Sequence, residues 1–500
     1  MRFIQCLLVY CLFAPLVLTG QYDQNKWIFG YVGERAYGGG LAGLRFAPSG
    51  VDTFYYGLAN HVDIHGSGAI IFNGRGNPTA FTNNCHIFSL PDQNRLTDRV
   101  FYSSQIVNFR CNEGYYLYYS SVVSLPANHA GNPGIVSQNY RYNFDTDEAF
   151  VDTLKSFSLD IGSLGTSIVE NVLPVDSSEL ARLTYYPATS TDGNWIVTTR
   201  YTHTGYQAHL VNEDGEFIRT VNSQRFSPLR FSCSENAFSP DGNTYATTAL
   251  DEGLVLFNFD PGEGLMSGPR FISLPDSANQ EIFRGISFSP NSEFVYLNTF
   301  ADLYQVEVST GDVTHIANRG DARTADGWPI GMSNMRTGPD CRIYIGPGFQ
   351  TNVIHVIHSP NEKGTACGFE WGAVQTPTNL DRGFPMLPLR TADMPCHDIP
   401  WILSDGPATS AQEVEARAGE VNLYPNPATT EVYLTAPTSL TERPHGRLRL
   451  FDRLGRRVAD YEVAPGRAYP LDRGRMAAGL YFWRLDNERG EVASGKLVLQ

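Results

Sequence analysis

Lysine is almost missing from this chain: Lys26, Lys155, Lys363 and Lys496 are the only four in 500 residues. Acidic residues outnumber Lys and Arg by 52 to 37, for a net charge of −15. A surface of that sign repels polyanions, which excludes nucleic acid and an anionic membrane as main partners. The balance is uneven. Residues 421–500 hold twelve Lys/Arg against nine Asp/Glu, so the rest of the chain carries about −18. No apolar run long enough to span a bilayer follows the first twenty residues. Local catalytic signatures are absent too. Gly331-Met332-Ser333-Asn334-Met335 lacks the second glycine of a nucleophile elbow, and there is neither an H-E-x-x-H pair nor a P-loop. No C-x2-C pair exists, which argues against structural zinc. No cofactor and no metal are expected.

What is present points to strands. Five hundred residues are too many for one ordinary domain. With 42% hydrophobic residues the chain can bury a core. Its 29 Phe, 26 Tyr and 47 Gly suit short strands and tight turns better than long helices. Residues 1–20 read as a secretory signal: Arg2, then an apolar core from Phe3 to Leu18, then Thr19-Gly20. Six cysteines remain beyond it, Cys85, Cys111, Cys233, Cys341, Cys367 and Cys396, enough for three disulfides in an exported chain. Fifteen pairings are open. Proximity in sequence alone favours Cys341 with Cys367 and Cys85 with Cys111.

A turn signature repeats through the middle of the chain. It reads Thr191-Asp192-Gly193-Asn194, Ser239-Pro240-Asp241-Gly242, Ser289-Pro290-Asn291-Ser292 and Gly338-Pro339-Asp340-Cys341, each before a β-branched or aromatic run. The acid or amide positions 192, 241, 291 and 340 are spaced by 49, 50 and 49 residues. Looser copies are His65-Gly66-Ser67-Gly68 before Ala69-Ile70-Ile71-Phe72, and Asn112-Glu113-Gly114 before Tyr115-Tyr116. Proline fixes φ at such a turn, and Asp, Asn and Gly accept its geometry. A period of 40–50 residues holding several short strands is the pattern of propeller blades. Seven blades are expected between residues 21 and 403, with Arg141 to Leu183 as an elaborated one. A plain sandwich would repeat turns at shorter range.

These Ser-Pro-Asp-Gly units resemble WD-like and TolB-like β-propeller repeats, although no Trp-Asp dipeptide occurs. With Trp27-Ile28-Phe29-Gly30 they are similar to a propeller region of type IX secretion system cargo in the Bacteroidetes. Residues 404–420 are polar and small, a linker composition. Beyond them come Tyr424-Pro425-Asn426-Pro427, a strand with a turn glycine at Gly455, the Gly479-Leu480-Tyr481 motif and a closing strand with Lys496. In that order they resemble the C-terminal (type A) sorting domain of type IX cargo over residues 421–500. The fold class expected is therefore all-β: a propeller of about seven blades, then a small Ig-like sandwich. The resemblance implies recognition by the type IX machinery after passage through the periplasm and removal of the tail near residues 404–420. It further implies either attachment to surface lipopolysaccharide or release.

Candidate chemistry is thin. His355 and His358 lie three apart on an expected strand and face opposite ways, a poor metal pair. His61, Asp63 and His65 share a turn-rich stretch. Asp145-Thr146-Asp147-Glu148 lacks the glycine and spacing of a calcium loop. The turn aspartates are expected to cap their own backbone. Tyr55-Tyr56, Tyr115-Tyr116 and Tyr118-Tyr119 are candidates for glycan stacking, though half of each pair belongs to the core. Two readings stand. One is a non-enzymatic secreted or cell-surface module that binds a glycan or protein. The other is a secreted hydrolase or lyase whose acids come from several blades. A cluster of Asp, Glu and His in one central funnel would favour the second.

Overall fold

The computed structural model describes residues 26–401, apart from 32–39, 57–67, 74–77, 84–85, 91–95, 97–121, 127–132, 144–147, 163–164, 180–182, 200–204, 224–235, 250–252, 276–282, 324–326, 328, 349–350, 381–382 and 388. Of the tail it describes the strands between 422 and 499. The chain divides into two compact units, Met1–Pro407 and Ala408–Gln500.

Seven antiparallel sheets make up the first unit among the described residues. The first holds β1 (Lys26–Tyr31), β2 (Gly40–Ala47) and β3 (Gly50–Tyr56). The second holds β4 (Ala69–Phe72), β5 (Pro78–Thr82) and β6 (Ile87–Ser89). Five four-stranded sheets follow. The third is β7–β10 (Val122–Leu125, Gly134–Asn143, Glu148–Gly162, Gly165–Glu179). The fourth is β11–β14 (Thr184–Pro187, Asn194–Thr199, Tyr206–Val211, Phe217–Asn222). The fifth is β15–β18 (Asn236–Phe238, Thr244–Ala249, Gly253–Asp260, Leu265–Ile272). The sixth is β19–β22 (Gly285–Phe288, Phe294–Asn298, Asp302–Glu307, Val313–Asn318). The seventh is β23–β26 (Met332–Thr337, Ile343–Pro347, Thr351–Ile357, Phe369–Leu380). Each is a meander in which sequential strands pair.

The sheets close into a ring. First strands of successive sheets neighbour one another, β4 with β7, β7 with β11, β11 with β15, β15 with β19, and β19 with β23. The seventh sheet returns to the first through β26. Core clusters fill the space between blades. One joins the seventh, first and second through Tyr344, Trp27 and Phe81; another joins the fifth and sixth through Leu254 and Val295. Strands near the axis are buried throughout, as in β19 and β20, while outer β14, β18 and β22 alternate toward solvent. This is a seven-bladed β-propeller. The stretch from Arg141 to Leu183 is indeed elaborated: β9 and β10 are 15-residue strands in one long hairpin.

The four phased turns occupy equivalent places, each joining a blade's first strand to its second. Asp241 Oδ1 accepts from Asn243 N at 3.0 Å, and Asn291 Oδ1 from Glu293 N at 3.2 Å, so these residues do cap their own turns. Gly242, Ser292 and Cys341 share the left-handed position, at φ 75, 63 and 62°. The looser copy ending at Gly68 is out of phase, because Ala69–Phe72 is a first strand. The other loose copy lies outside the described residues, as do the expected signal segment and residues 404–420.

The tail forms two antiparallel sheets. In one, Glu431–Thr435 pairs with both Asn422–Tyr424 and Tyr469–Asp472. In the other, Gly446–Phe451 sits between Arg457–Val463 and Gly479–Asn487, which pairs onward with Gly490–Leu499. Among its described side chains, Leu448, Leu450, Tyr481, Trp483, Leu497 and Leu499 are buried.

Candidate functional site

The chain does not stop at its last blade. After β26 it turns back as a strap, residues 383–401, that runs into the centre of the ring. Asn334 of β23 grips it with both ends of its amide: Nδ2 donates to Phe384 O and Oδ1 accepts from Phe384 N, each at 2.7 Å. Met386 pairs with β4 in parallel, its O accepting from Ile70 N at 3.1 Å and its N donating to Gly68 O at 2.7 Å. Leu389 N then donates to Tyr185 Oη of β11 at 3.0 Å. Ala392 N reaches Pro240 O and His397 N reaches Pro339 O, both in phased turns. The second, fourth, fifth and seventh blades are thus bound by one segment. A strand with no regular partner satisfies its backbone polar groups this way.

The disulfide fixes the far end. Cys341 pairs with Cys396, with Cα atoms 5.4 Å apart. This corrects the expected Cys341–Cys367 pairing. Cys341 sits in the seventh blade's turn, and the strap is laid along that turn by His397 N to Pro339 O and by Arg342 Nη1 to Ile399 O at 3.1 Å. Cys367 ends the 3-10 turn Gly364–Cys367 and is a buried free thiol beside Tyr296, with its pKa pushed up by burial. Cys85, Cys111 and Cys233 lie outside the described residues.

Between strap and blades remains a cavity of about 160 Å³. First strands β11, β15, β19 and β23 wall one side, and strap residues Met386 to Cys396 wall the other. Its described charged residues are Arg336 and Arg390. Arg336 comes from β23. Its Nε donates to Pro385 O at 3.2 Å, Nη1 to Met335 O at 2.6 Å, and Nη2 to Met386 Sδ at 3.0 Å. No carboxylate is among these partners. Burial pulls its pKa down to about 9, with no acid opposing the shift. Arg390, from the strap, donates through Nη2 to Pro395 O at 2.8 Å. Burial lowers its pKa, and Asp340 partly opposes that. Asp340 is itself engaged, accepting from Arg342 Nη1 at 2.7 Å and Tyr344 Oη at 2.8 Å. Ser287 and Thr337 add hydroxyls 3.1 Å apart.

Sequence reasoning missed this site, but the repeat held a signal. Four residues before the acid or amide of the last three phased turns stand Ala237, Ser287 and Arg336, and all three line the cavity. An arginine where sister blades carry small residues marks the seventh blade.

The other described candidates, His355 and His358, do not assemble a centre. His355 is buried, one ring nitrogen 3.1 Å from Gly331 O and the other accepting from Gly372 N at 2.9 Å. His358 instead pairs with Glu370 at 2.8 Å and packs edge-on against Trp401. No group of three or more His, Cys, Asp or Glu among the described residues is placed to hold a metal ion. His61, Asp63, His65, Asp145, Asp147 and Tyr115 to Tyr119 lie outside the described residues, as do the side chains of Tyr55 and Tyr56. In the tail, Tyr424 ends the strand Asn422–Tyr424, Gly479-Leu480-Tyr481 opens a central strand, and Lys496 stands opposite Phe482. Pro425, Asn426, Pro427 and Gly455 lie outside the described residues. No described helix is long and apolar enough to cross a membrane.

The class is now defined: a seven-bladed propeller whose first strands and turns are bridged by a strap of its own chain, followed by a β-rich tail. Residues 422–500 match the secretion system C-terminal sorting domain. The chain is therefore a sorted cargo of the type IX system, exported to the outside or the cell surface. No curated protein matches it. Similar solved structures include a putative 6-phosphogluconolactonase from Bacteroides uniformis, 13% identical, covering 94% of this chain and 99% of that one at a TM-score of 0.36. The β-propeller domain of Cps50 (Swd1) from Myceliophteria thermophila is 15% identical, covering 62% and 89% at 0.34. The Dos1 propeller is 8% identical, covering 68% and 79% at 0.39. The ring of sheets establishes the propeller without them.

Proposed function

We propose that the protein is a recognition module, exported through its tail, that binds a glycan or a protein outside the cell without transforming it. The observation that carries this reading is the central cavity, whose described lining holds two guanidinium groups and no carboxylate or imidazole. Glycoside hydrolysis needs a pair of acids facing one substrate. Asp340, the acid that acts on Arg390, is already committed to Arg342 and Tyr344. Propellers present variable loops around such an axis, a common platform for binding. After export the tail is removed within residues 404–420, and the propeller is attached to surface lipopolysaccharide or released.

The test uses protein recovered from its native surface and medium. It is applied to immobilised neutral and acidic glycans, and the same glycans are assayed for new reducing ends and unsaturated products. Retention with no product supports the recognition reading. Sustained product release overturns it in favour of a hydrolase or lyase.

A further inference from the structure

We propose that the central cavity is an oxyanion-binding site, in which Arg336, seconded by Arg390, receives a sulfate, a phosphate or the carboxylate of an acidic sugar. The case starts from a charge without a partner. A buried guanidinium costs several kcal/mol unless an opposite charge or a full set of hydrogen bonds offsets it. Arg336 has five N–H donors. Three are used, on two carbonyl oxygens and a thioether. One N–H on Nη1 and one on Nη2 remain, on the two nitrogens that grip an oxyanion in a fork. The thioether is a weak acceptor, so Nη2 gains most from an oxygen.

Position supports the same conclusion. Arg336 retains partial exposure although protein surrounds it, and it lines the cavity. Arg390 enters from the opposite wall, on the strap, with its Nη2 turned to carbonyls of its own segment. The Ser287–Thr337 pair supplies one neutral donor: when Ser287 donates in the 3.1 Å contact, Thr337 keeps its hydrogen for a ligand, whereas Ser287 otherwise donates to Phe288 O at 3.5 Å. A volume of about 160 Å³ holds one sulfate-sized group with a few waters, or the charged end of a sugar. Asp340, the acid that acts on Arg390, is itself paired with Arg342.

This deepens the recognition reading by naming the chemistry of its ligand, yet it is tested by small ions alone, so the two fail separately. The experiment measures thermal unfolding of the exported protein in sodium chloride, sulfate, phosphate and glucuronate at matched ionic strength. Sulfate, phosphate or glucuronate should raise the midpoint by about 2–5 °C over chloride when well above its dissociation constant. Arg336→Met and Arg336→Gln should lose at least tenfold in apparent affinity for the active ion, while Arg219→Gln on the outer β14 keeps the full response. A response to sulfate and phosphate but not glucuronate assigns a tetrahedral anion; the reverse assigns an acidic sugar. Equal midpoints in all four salts overturn the proposal, as does an unchanged shift in Arg336→Met. Should neither variant fold, phenylglyoxal labelling of the unaltered protein decides: the active ion protects Arg336, and labelling indifferent to every ion overturns the site.

Discussion

Cys341 combines two unusual properties. It holds the left-handed backbone position that its sister turns give to Gly242 and Ser292, and it anchors the strap through Cys396. A non-glycine residue there costs about 1 kcal/mol. Closing a loop of 55 residues offsets that with about 2–4 kcal/mol by restricting the unfolded chain. Cys396→Ser should therefore lower the unfolding midpoint in non-reducing buffer by several degrees and make it insensitive to reductant. A variant that melts with the parent protein shows that the hydrogen bonds of the strap suffice. Peptide mapping should recover Cys341 linked to Cys396 and Cys367 as a free thiol. The pairing was not legible beforehand, because it follows from the course of residues 383–401, which carry none of the repeat's turn signatures.

Histidine gives a second prediction at this scale. His209 is enclosed between Thr198 and Thr220, with its ring nitrogens 3.0 and 2.9 Å from their hydroxyls. Burial holds its pKa down to about 4, and that of His355 likewise. Between pH 6.5 and 4 the unfolded chain takes up protons at these sites and the folded chain does not. Their contribution is complete above pH 6.5 and is lost on acidification, at about 1.4 kcal/mol per pH unit for each. His209→Gln should be less stable at pH 7 and show a flatter decline from pH 6.5 to 4.5 in denaturant unfolding. Parallel declines in the two proteins would refute the assignment.

At the scale of elements, the blades are latched by aromatic donors reaching a proline carbonyl in the next blade. Tyr186 Oη donates to Pro240 O, Trp195 Nε1 to Pro261 O and Tyr296 Oη to Pro360 O, each at 2.8 Å. At Pro240 the Ser-Pro-Asp-Gly turn is thus both a local cap and a landing site, whereas Pro261 and Pro360 lie in other turns of the receiving blades. Local turn chemistry made the fourth to seventh blades legible. The first three were not phased, because the sequence between their first and second strands holds no Ser-Pro-Asp-Gly unit. Gly242 sits under the Tyr186 ring at φ 75°, and a Cβ there would lie 2.4 Å from ring carbons. Gly242→Ala should cost about 2 kcal/mol or more, from backbone strain plus a displaced latch. Tyr186→Phe, which keeps the ring, should cost only about 1 kcal/mol. Equal losses in urea unfolding would mean that the ring contact decides nothing at this turn.

For the whole molecule, the tail was the most legible part, because a sorting signal must be read by another protein and so keeps its residues in the chain itself. The central site was the least legible. Arg336, Arg390, Ser287 and Thr337 come from three separate stretches, and only ring closure with the strap brings them together. The same division predicts how truncation behaves. The described core clusters of the ring draw on residues from Trp27 to Trp401, with Trp401 held against Arg342 and His358. Removing residues 421–500 therefore leaves the ring, its strap and its disulfide complete. The truncated protein should fold and keep the unfolding midpoint of the mature propeller, yet accumulate in the periplasm, because the segment matched to the sorting domain is gone. Cell fractionation with a folded-state readout, resistance to limited proteolysis, checks both halves of the expectation. Truncated protein recovered outside intact cells would show that export does not depend on the tail. Protease-sensitive protein in the periplasm would show instead that the ring needs the tail to fold.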